Sequence, residues 1–181
     1  MRWDELFGDL SAQWEAEERR ELDAEVADRT RRERAAIGLY ERLAAAGDAP
    51  IGLTLASGTR LTGRVVDVGD GWVLLAATDS HAAALVPFTA LAAVTGLGGR
   101  AAGSTTGRRF GLGYALRGLS RDRAVVALQD LTGAFVTGTI DAVGQDHLEL
   151  SEHAADLPRR AENVTGRRLV PFSALVVLRP A

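Results

Sequence analysis

The chain is predicted to be mainly β with some α. A long N-terminal helix leads into two repeated five-stranded small barrels, and a short helix precedes the second. Two observations carry this. Residues 58–75 (GTRLTGRVVDVGDGWVLL) recur as residues 133–150 (GAFVTGTIDAVGQDHLEL), with all three spaced glycines kept 75 positions on. A second match follows in each copy: Leu85-Val-Pro-Phe-Thr-Ala-Leu91 against Leu169-Val-Pro-Phe-Ser-Ala-Leu175. A seven-residue match with one Thr/Ser change, at a consistent place in both copies, marks a duplication. Self-similarity of this kind sets the architecture before any single residue is considered.

The first 46 residues read as an acidic helical arm. Ala, Glu, Arg and Leu dominate, and no Gly or Pro falls between Asp9 and Ile37. Acids crowd its first half and Arg29, Arg31, Arg32 and Arg34 follow, which suits the helix dipole. Leu6, Phe7, Leu10 and Trp14 form one apolar stripe; Ile37, Leu39, Tyr40 and Leu43 form another. Between them only Leu22 and Val26 are large and apolar, so the stretch is either a solvated or partner-binding helix or a narrow-seamed, self-associating coiled coil. Gly47-Asp-Ala-Pro50 ends it.

Repeat one spans residues 47–96. Ile51, Leu53 and Leu55 alternate as a strand does, and Leu61, Val65 and Val68 follow the Ser57-Gly58 turn. Val73–Leu75 reads as a buried third strand and Ala83–Val86 as a fourth. Pro87-Phe88 breaks it, because proline cannot donate to a ladder, and Leu91–Thr95 is the fifth. Residues 97–123 are a Gly-rich linker and a basic helix, Arg108 to Arg121. The five-strand pattern then returns in residues 124–181, with a β3–β4 loop nine positions longer. Five short strands with a one-turn break before the last describe an Sm-like or SH3-like small barrel.

Composition narrows the chemistry. An apolar content of 46% with 25% charge is ordinary for a globular protein. With no cysteine, disulfides, thiol nucleophiles and Cys-based zinc sites are excluded. All 21 basic residues are arginine, so a Walker A lysine and a Schiff-base amine are excluded as well. The N-terminus lacks the apolar core of a signal peptide and no run is long enough for a membrane helix, which predicts a cytoplasmic protein. His81, His147 and His153 lack ligand spacing, so no metal site is expected. Gly96-Leu-Gly-Gly-Arg-Ala101 matches a dinucleotide-binding string, but a Gly/Ser/Thr-rich segment follows it where a helix is needed, and it reads as linker. No cofactor and no catalytic residue is expected.

Net charge is only −3, but unevenly distributed. Residues 1–30 carry ten acids against four arginines, whereas residues 97–125 carry six arginines against Asp122 alone. Arg108, Arg109, Arg117, Arg121 and Arg123 are therefore the candidate polyanion-binding residues, with Phe110 and Tyr114 beside them and Trp72 in repeat one as candidate base-stacking aromatics. The other readings are that these arginines pair with the acidic helix or meet another acidic partner, and that Trp72 caps its barrel.

The pattern Leu53-x-Leu55-x-x-Gly58-x-x-Leu61-x-Gly63-x-Val65, then Val73-Leu74-Leu75 and Leu85-Val86, resembles the Sm-like superfamily, the Hfq RNA chaperones in particular. It covers about 45 residues per copy. The resemblance implies small barrels that join edge to edge into rings. Three chains would supply the six barrels of an Hfq-like ring. Alternatively, the acidic helix covers the free edges, or its Leu10, Trp14, Leu22 and Val26 face pairs with a second copy. An oligomer is expected, with the dimer ahead of the trimer because Pro87 and Pro171 weaken edge pairing. The RNA-contacting positions depart from the family. The loop that usually carries Asp and Asn is Gly69-Asp-Gly-Trp72 in one copy and Gly144-Gln-Asp-His147 in the other. Val86-Pro-Phe88 and Val170-Pro-Phe172 stand where Hfq has Tyr-Lys-His. Uridine recognition therefore does not carry over. The overall pattern also resembles a family of actinobacterial proteins, from which no activity carries over. The expected function is a non-catalytic interaction or assembly module, acting through its barrels or its N-terminal helix. The alternative is an RNA- or DNA-binding protein using the Arg108–Arg123 segment.

Overall fold

The computed structural model describes residues 2–78, 83–103 and 110–181, and the backbone alone of residues 2–13, 15 and 16. The chain divides into two compact units, Met1–Gly38 and Leu39–Ala181. The first is one helix, α1 (Arg2–Ala35). Its side chains from Glu17 to Ala36 are exposed, apart from half-exposed Asp28 and Thr30. Ion pairs run one turn along it, Arg20 to Glu17 at 3.0 Å and Arg29 to Glu33 at 3.1 Å, with Asp28 shared by Arg31 and Arg32. Such pairs each support a solvated helix by only a few tenths of a kcal/mol, about 0.3. The helix expected to run to residue 46 stops sooner. Ile37 N–H reaches back three residues to Arg34 O, which tightens the last turn, and Gly38 separates α1 from the short α2 (Leu39–Ala44).

The second unit is mainly β. Its ten strands are β1 (Ile51–Leu55), β2 (Arg60–Gly69), β3 (Trp72–Ala77), β4 (Ala83–Pro87), β5 (Leu91–Thr95), β6 (Val125–Asp130), β7 (Phe135–Val143), β8 (His147–Glu152), β9 (Gly166–Pro171) and β10 (Leu175–Pro180). A third helix, α3 (Leu112–Arg121), precedes β6. The strands form one antiparallel sheet in the order β5-β1-β2-β3-β4-β10-β6-β7-β8-β9, which is not closed. Among the described residues no helix is long and apolar enough to cross a membrane.

The order within the first five strands, 5-1-2-3-4, is also the order within the last five, and the register repeats with it. Ile51 faces Gly63 as Val126 faces Gly138, and Trp72 faces Pro87 as His147 faces Pro171. Each Pro-Phe pair opens a single 3-10 turn, Phe88–Ala90 and Phe172–Ala174, before the last strand of its half. Phe88 N–H donates to Gly71 O and Phe172 N–H to Asp146 O, both at 2.8 Å.

The repeated glycines have physical causes. Gly58 and Gly133 sit in the first hairpin of each half with φ of +83° and +84°, a conformation that costs any residue with a Cβ. At Gly63 and Gly138 a Cβ would stand 2.1 Å from the carbonyl oxygen of Ala76 or Ser151 on the neighbouring strand. Close approach of backbones excludes every other residue there.

Two apolar clusters form the core. One holds Tyr40 and Leu43 of α2 with Ile51, Leu53, Leu55, Leu61 and Leu75; the other holds Leu116 of α3 with Val126, Leu128, Ile140, Leu148 and Leu150. Each borrows from the other half. Val176 and Val177 of β10 pack into the first, and Trp72 and Leu85 pack into the second. The seam between the halves is the antiparallel β4–β10 pair, with Leu85 opposite Leu178.

Candidate functional site

Of the five arginines expected to hold a polyanion, Arg108 and Arg109 lie outside the described residues. Arg117 and Arg121 project from α3. That helix buries Leu116, with Leu112, Ala115 and Leu119 packed around it, a spacing that commits one face to the core. Tyr114, Arg117 and Arg121 fall on the opposite face and are exposed. Phe110 lies against Tyr114 with ring centroids 4.4 Å apart and planes tilted by 31°. The structure thus brings two of the candidate arginines and both nearby aromatics onto one outward stripe.

Trp72 is elsewhere. It is 6% exposed, inside the second apolar cluster, and its indole N–H donates to Phe110 O at 2.8 Å. The ring folds over Gly69, where a Cβ would meet it at 2.1 Å. No face of this indole is open to a base. Asp70 N–H donates to the same Phe110 carbonyl at 2.9 Å, so this loop anchors the approach to α3. His147 occupies the matching position, folds over Gly144 in the same way, and its Nδ1 lies 2.9 Å from Asp146 Oδ1.

Arg123 ends up apart from the α3 stripe. It lines a cavity of about 540 Å³ together with Ser120, Thr139, Asp141, Arg159 and Arg167. A β-bulge in β7, between Ile140 and Ala142, turns Asp141 outward. Its carboxylate is the centre of a network. Arg159 donates to both oxygens, from Nε at 2.5 Å and from an Nη at 2.7 Å, and Ser151 Oγ donates to Oδ2 at 2.6 Å. The Arg159 hydrogen bonds hold the Asp141 carboxyl below the usual carboxylate range; partial burial opposes this, and Ser151 reinforces it.

Beneath the network lies a second polar pair. Thr139 and His153 are both buried, with His153 Nε2 2.9 Å from Thr139 Oγ1 and Nδ1 2.8 Å from Ala154 O. A carbonyl can only accept, so Nδ1 carries a proton. Both nitrogens are satisfied, and the ring fastens the start of the long β8–β9 loop. His81 lies outside the described residues. Among the described residues no three metal-ligating side chains converge.

The matching bulge in β2 falls between Val65 and Asp67 and turns out Val66, which is exposed. It borders a cavity of about 430 Å³ lined by Tyr40, Leu43, Val65 and Asp48. The duplication therefore made two cavities at one topological position, and only the second is lined by arginine. Asp141, Arg159, Arg167 and Ser151 were not singled out from the sequence. The available signals were an acid where the first copy has Val66, and the nine extra positions before β9.

No protein-family model, curated protein or solved structure matches this chain.

Proposed function

We propose that this chain is a non-catalytic assembly module made of two Sm-like barrels, and that it pairs with further copies of itself edge to edge. The observation that carries the reading is the β4–β10 seam. In each half the fifth strand pairs with the first, and the fourth with the third, so the fourth and fifth strands each keep one outer side. Within the chain, the outer side of β4 meets that of β10. The counterparts, β9 and β5, are the two ends of the sheet. An unpaired edge presents a row of N–H and C=O groups that template another strand. Here the two free edges are the two complementary halves of a seam the chain already makes once.

Side-chain exposure supports the same pairing. Leu85 at the seam is 4% exposed, while its counterpart Leu169 on β9 is 59% exposed. Val176 and Val177 are buried on both sides of β10, whereas Ala92 and Ala93 on β5 are exposed. β9 of one copy joined to β5 of the next is a head-to-tail contact, which gives a closed ring or an open chain according to the rotation between copies. Three copies would give a six-barrel ring. Light scattering on the intact chain should give a mass of two or three protomers. A monomer at every concentration would overturn the proposal. Loss of assembly on removing residues 1–38 would assign self-association to α1 instead.

The α3 stripe favours a second reading, in which Arg117 and Arg121 hold phosphates while Phe110 and Tyr114 stack bases of a single strand. A gel shift with single-stranded RNA and duplex DNA tests it. Binding must fall steeply with salt, because arginine–phosphate contacts release counterions. No shift at low salt removes this reading.

A further inference from the structure

The geometry points to the cavity between the end of α3, the β7 bulge and the β8–β9 loop as a binding site for a small phosphate monoester. Three independent features of the second half converge on it.

The first is excess positive charge, offset only in part by Asp141, whose carboxylate also feels Arg167 at longer range. Arg123, Arg159 and Arg167 line the cavity, and Asp141 is its single acidic lining residue. Asp141 is already committed: both its oxygens take Arg159, and one also takes Ser151. Among the described residues neither Arg123 nor Arg167 has a carboxylate within 4.0 Å. Two guanidinium forks therefore remain for a ligand. A dianionic phosphate matches them in charge and in planar, two-point hydrogen bonding.

The second is backbone strain at one of those arginines. Arg123 has φ +49° and is the one non-glycine with positive φ among the described residues. Glycine or asparagine would adopt this conformation at lower cost. The arginine side chain is exposed and makes no hydrogen bond that the fold uses. A residue that costs stability locally and supports nothing around it is the kind found at binding sites.

The third is the contrast with the first half. There the bulge turns out Val66, no arginine lines the cavity, and the loop before the fourth strand is nine residues shorter. The lining needed four separate differences: Asp141 at the bulge, Arg159 on the extra loop, Arg123 in the turn before β6, and Arg167 on β9 where the first copy has Ala83. Asp141 latches the loop down, so Arg159 and Pro158 become a wall of the cavity.

The C-terminal end of α3 opposes an anion less than an open helix end would. Its last carbonyls are occupied: Gly118 O by Asp122 N–H, Ser120 O by Arg123 N–H and Leu119 O by Ala124 N–H. The cavity, about 540 Å³, lies within the range of small-molecule sites and exceeds what phosphate alone fills. Val125 and Ile140 supply an apolar wall for the esterified group.

Isothermal titration of the full chain with inorganic phosphate, sulfate, ribose 5-phosphate and adenosine 5′-monophosphate tests this. One or both monoesters should bind at least ~10-fold more tightly than inorganic phosphate or sulfate. The two monoesters distinguish a sugar phosphate from a nucleotide. Arg123→Gly should weaken binding ~10-fold or more while leaving Tm equal or higher, because glycine relieves the turn. Arg167→Gln should weaken it to a similar degree through a different element. Several results would overturn the proposal: no heat from either monoester at ~1 mM, equal response to sulfate, or unchanged binding in both variants. Binding of single-stranded RNA that needs Arg123, with no response to monoesters, would overturn it too.

Discussion

β4 and β9 are the same strand twice, with Leu-Val-Pro in identical positions, yet they live in different surroundings. β4 lies inside the sheet against β10, and Leu85 is buried in the core of the other half; β9 is an edge, and Leu169 faces solvent. Strands β10 and β5 differ in the same sense. Leu175–Leu178 are buried residue after residue, whereas β5 alternates half-exposed and exposed positions and carries alanines where β10 carries valines. A strand buried on both faces reads as a continuous apolar run, and one with an open side does not need to. The difference between the copies is therefore one of neighbours and not of local conformation, since the register within each half is the same.

The largest effect is expected at the seam. Leu85→Asp introduces a carboxylate into a position 4% exposed. It should cost about 3–5 kcal/mol, a large fraction of the ~5–15 kcal/mol that holds a typical domain folded, as read by urea denaturation. A cost below about 1 kcal/mol would mean that the seam is not packed as described. Next in size is Gly138→Ala. Its Cβ would stand 2.1 Å from Ser151 O, a backbone atom that cannot swing away, and a loss of about 3 kcal/mol is expected. Gly63→Ala should match it, because Ala76 O stands in the same relation. Unequal losses would show that the halves differ in rigidity.

Much of this was legible in the sequence. Period-two alternation, the Pro-Phe breaks and the spaced glycines gave all ten strands, because each of those signals is local. The helix boundary was missed at Gly38, where α2 leaves α1 to bury Tyr40 and Leu43 in the sheet's core; the apolar stripe continued across the break and concealed it. The single ten-stranded sheet was not legible at all. Pairing of β4 with β10 joins residues more than ninety positions apart, and nothing local marks Leu85 as buried and Leu169 as exposed. The site reading divided similarly. Charge counting found the arginine-rich segment, but Arg123 faces a cavity completed by Arg159, from a loop read only as longer, and by Arg167 of β9. Trp72 was conspicuous in the sequence, yet its indole is hydrogen-bonded inside the core.

The two bulges differ in what they hold. Asp141→Asn removes the charge that latches Arg159 and should lower Tm at neutral pH by ~2 °C. Val66, at the same bulge in the first half, has no such latch. The Asp141 carboxyl titrates below the ordinary carboxylate range in the folded chain. A folded pKa below the unfolded one gives stabilisation that is present above the unfolded value and lost as pH falls through the folded value. The Tm difference between parent and variant should therefore be constant from neutral pH down to about pH 5 and vanish only in strong acid. A difference that disappears nearer neutrality would mean the carboxylate is not held by Arg159.

The smallest effect on stability is expected at the open edge. Leu169→Asp puts a charge at a position 59% exposed, on the last strand of the sheet, so within one chain the carboxylate stays hydrated. Glu149 stands opposite on β8, so a loss of no more than about 1 kcal/mol is expected, in contrast to the same substitution at Leu85. The effect on assembly runs the other way. If β9 meets β5 of another copy as β4 meets β10, the aspartate is buried on association, and desolvating it without a cation opposes pairing. Charged side chains on edge strands prevent this kind of contact in natural sheets. Light scattering of Leu169→Asp should therefore show a folded monomer at concentrations where the parent chain assembles, with an unfolding midpoint near that of the parent diluted to monomer. An assembled variant would move the contact away from β9. A variant that both dissociates and unfolds would show that the second half is folded only in the assembly.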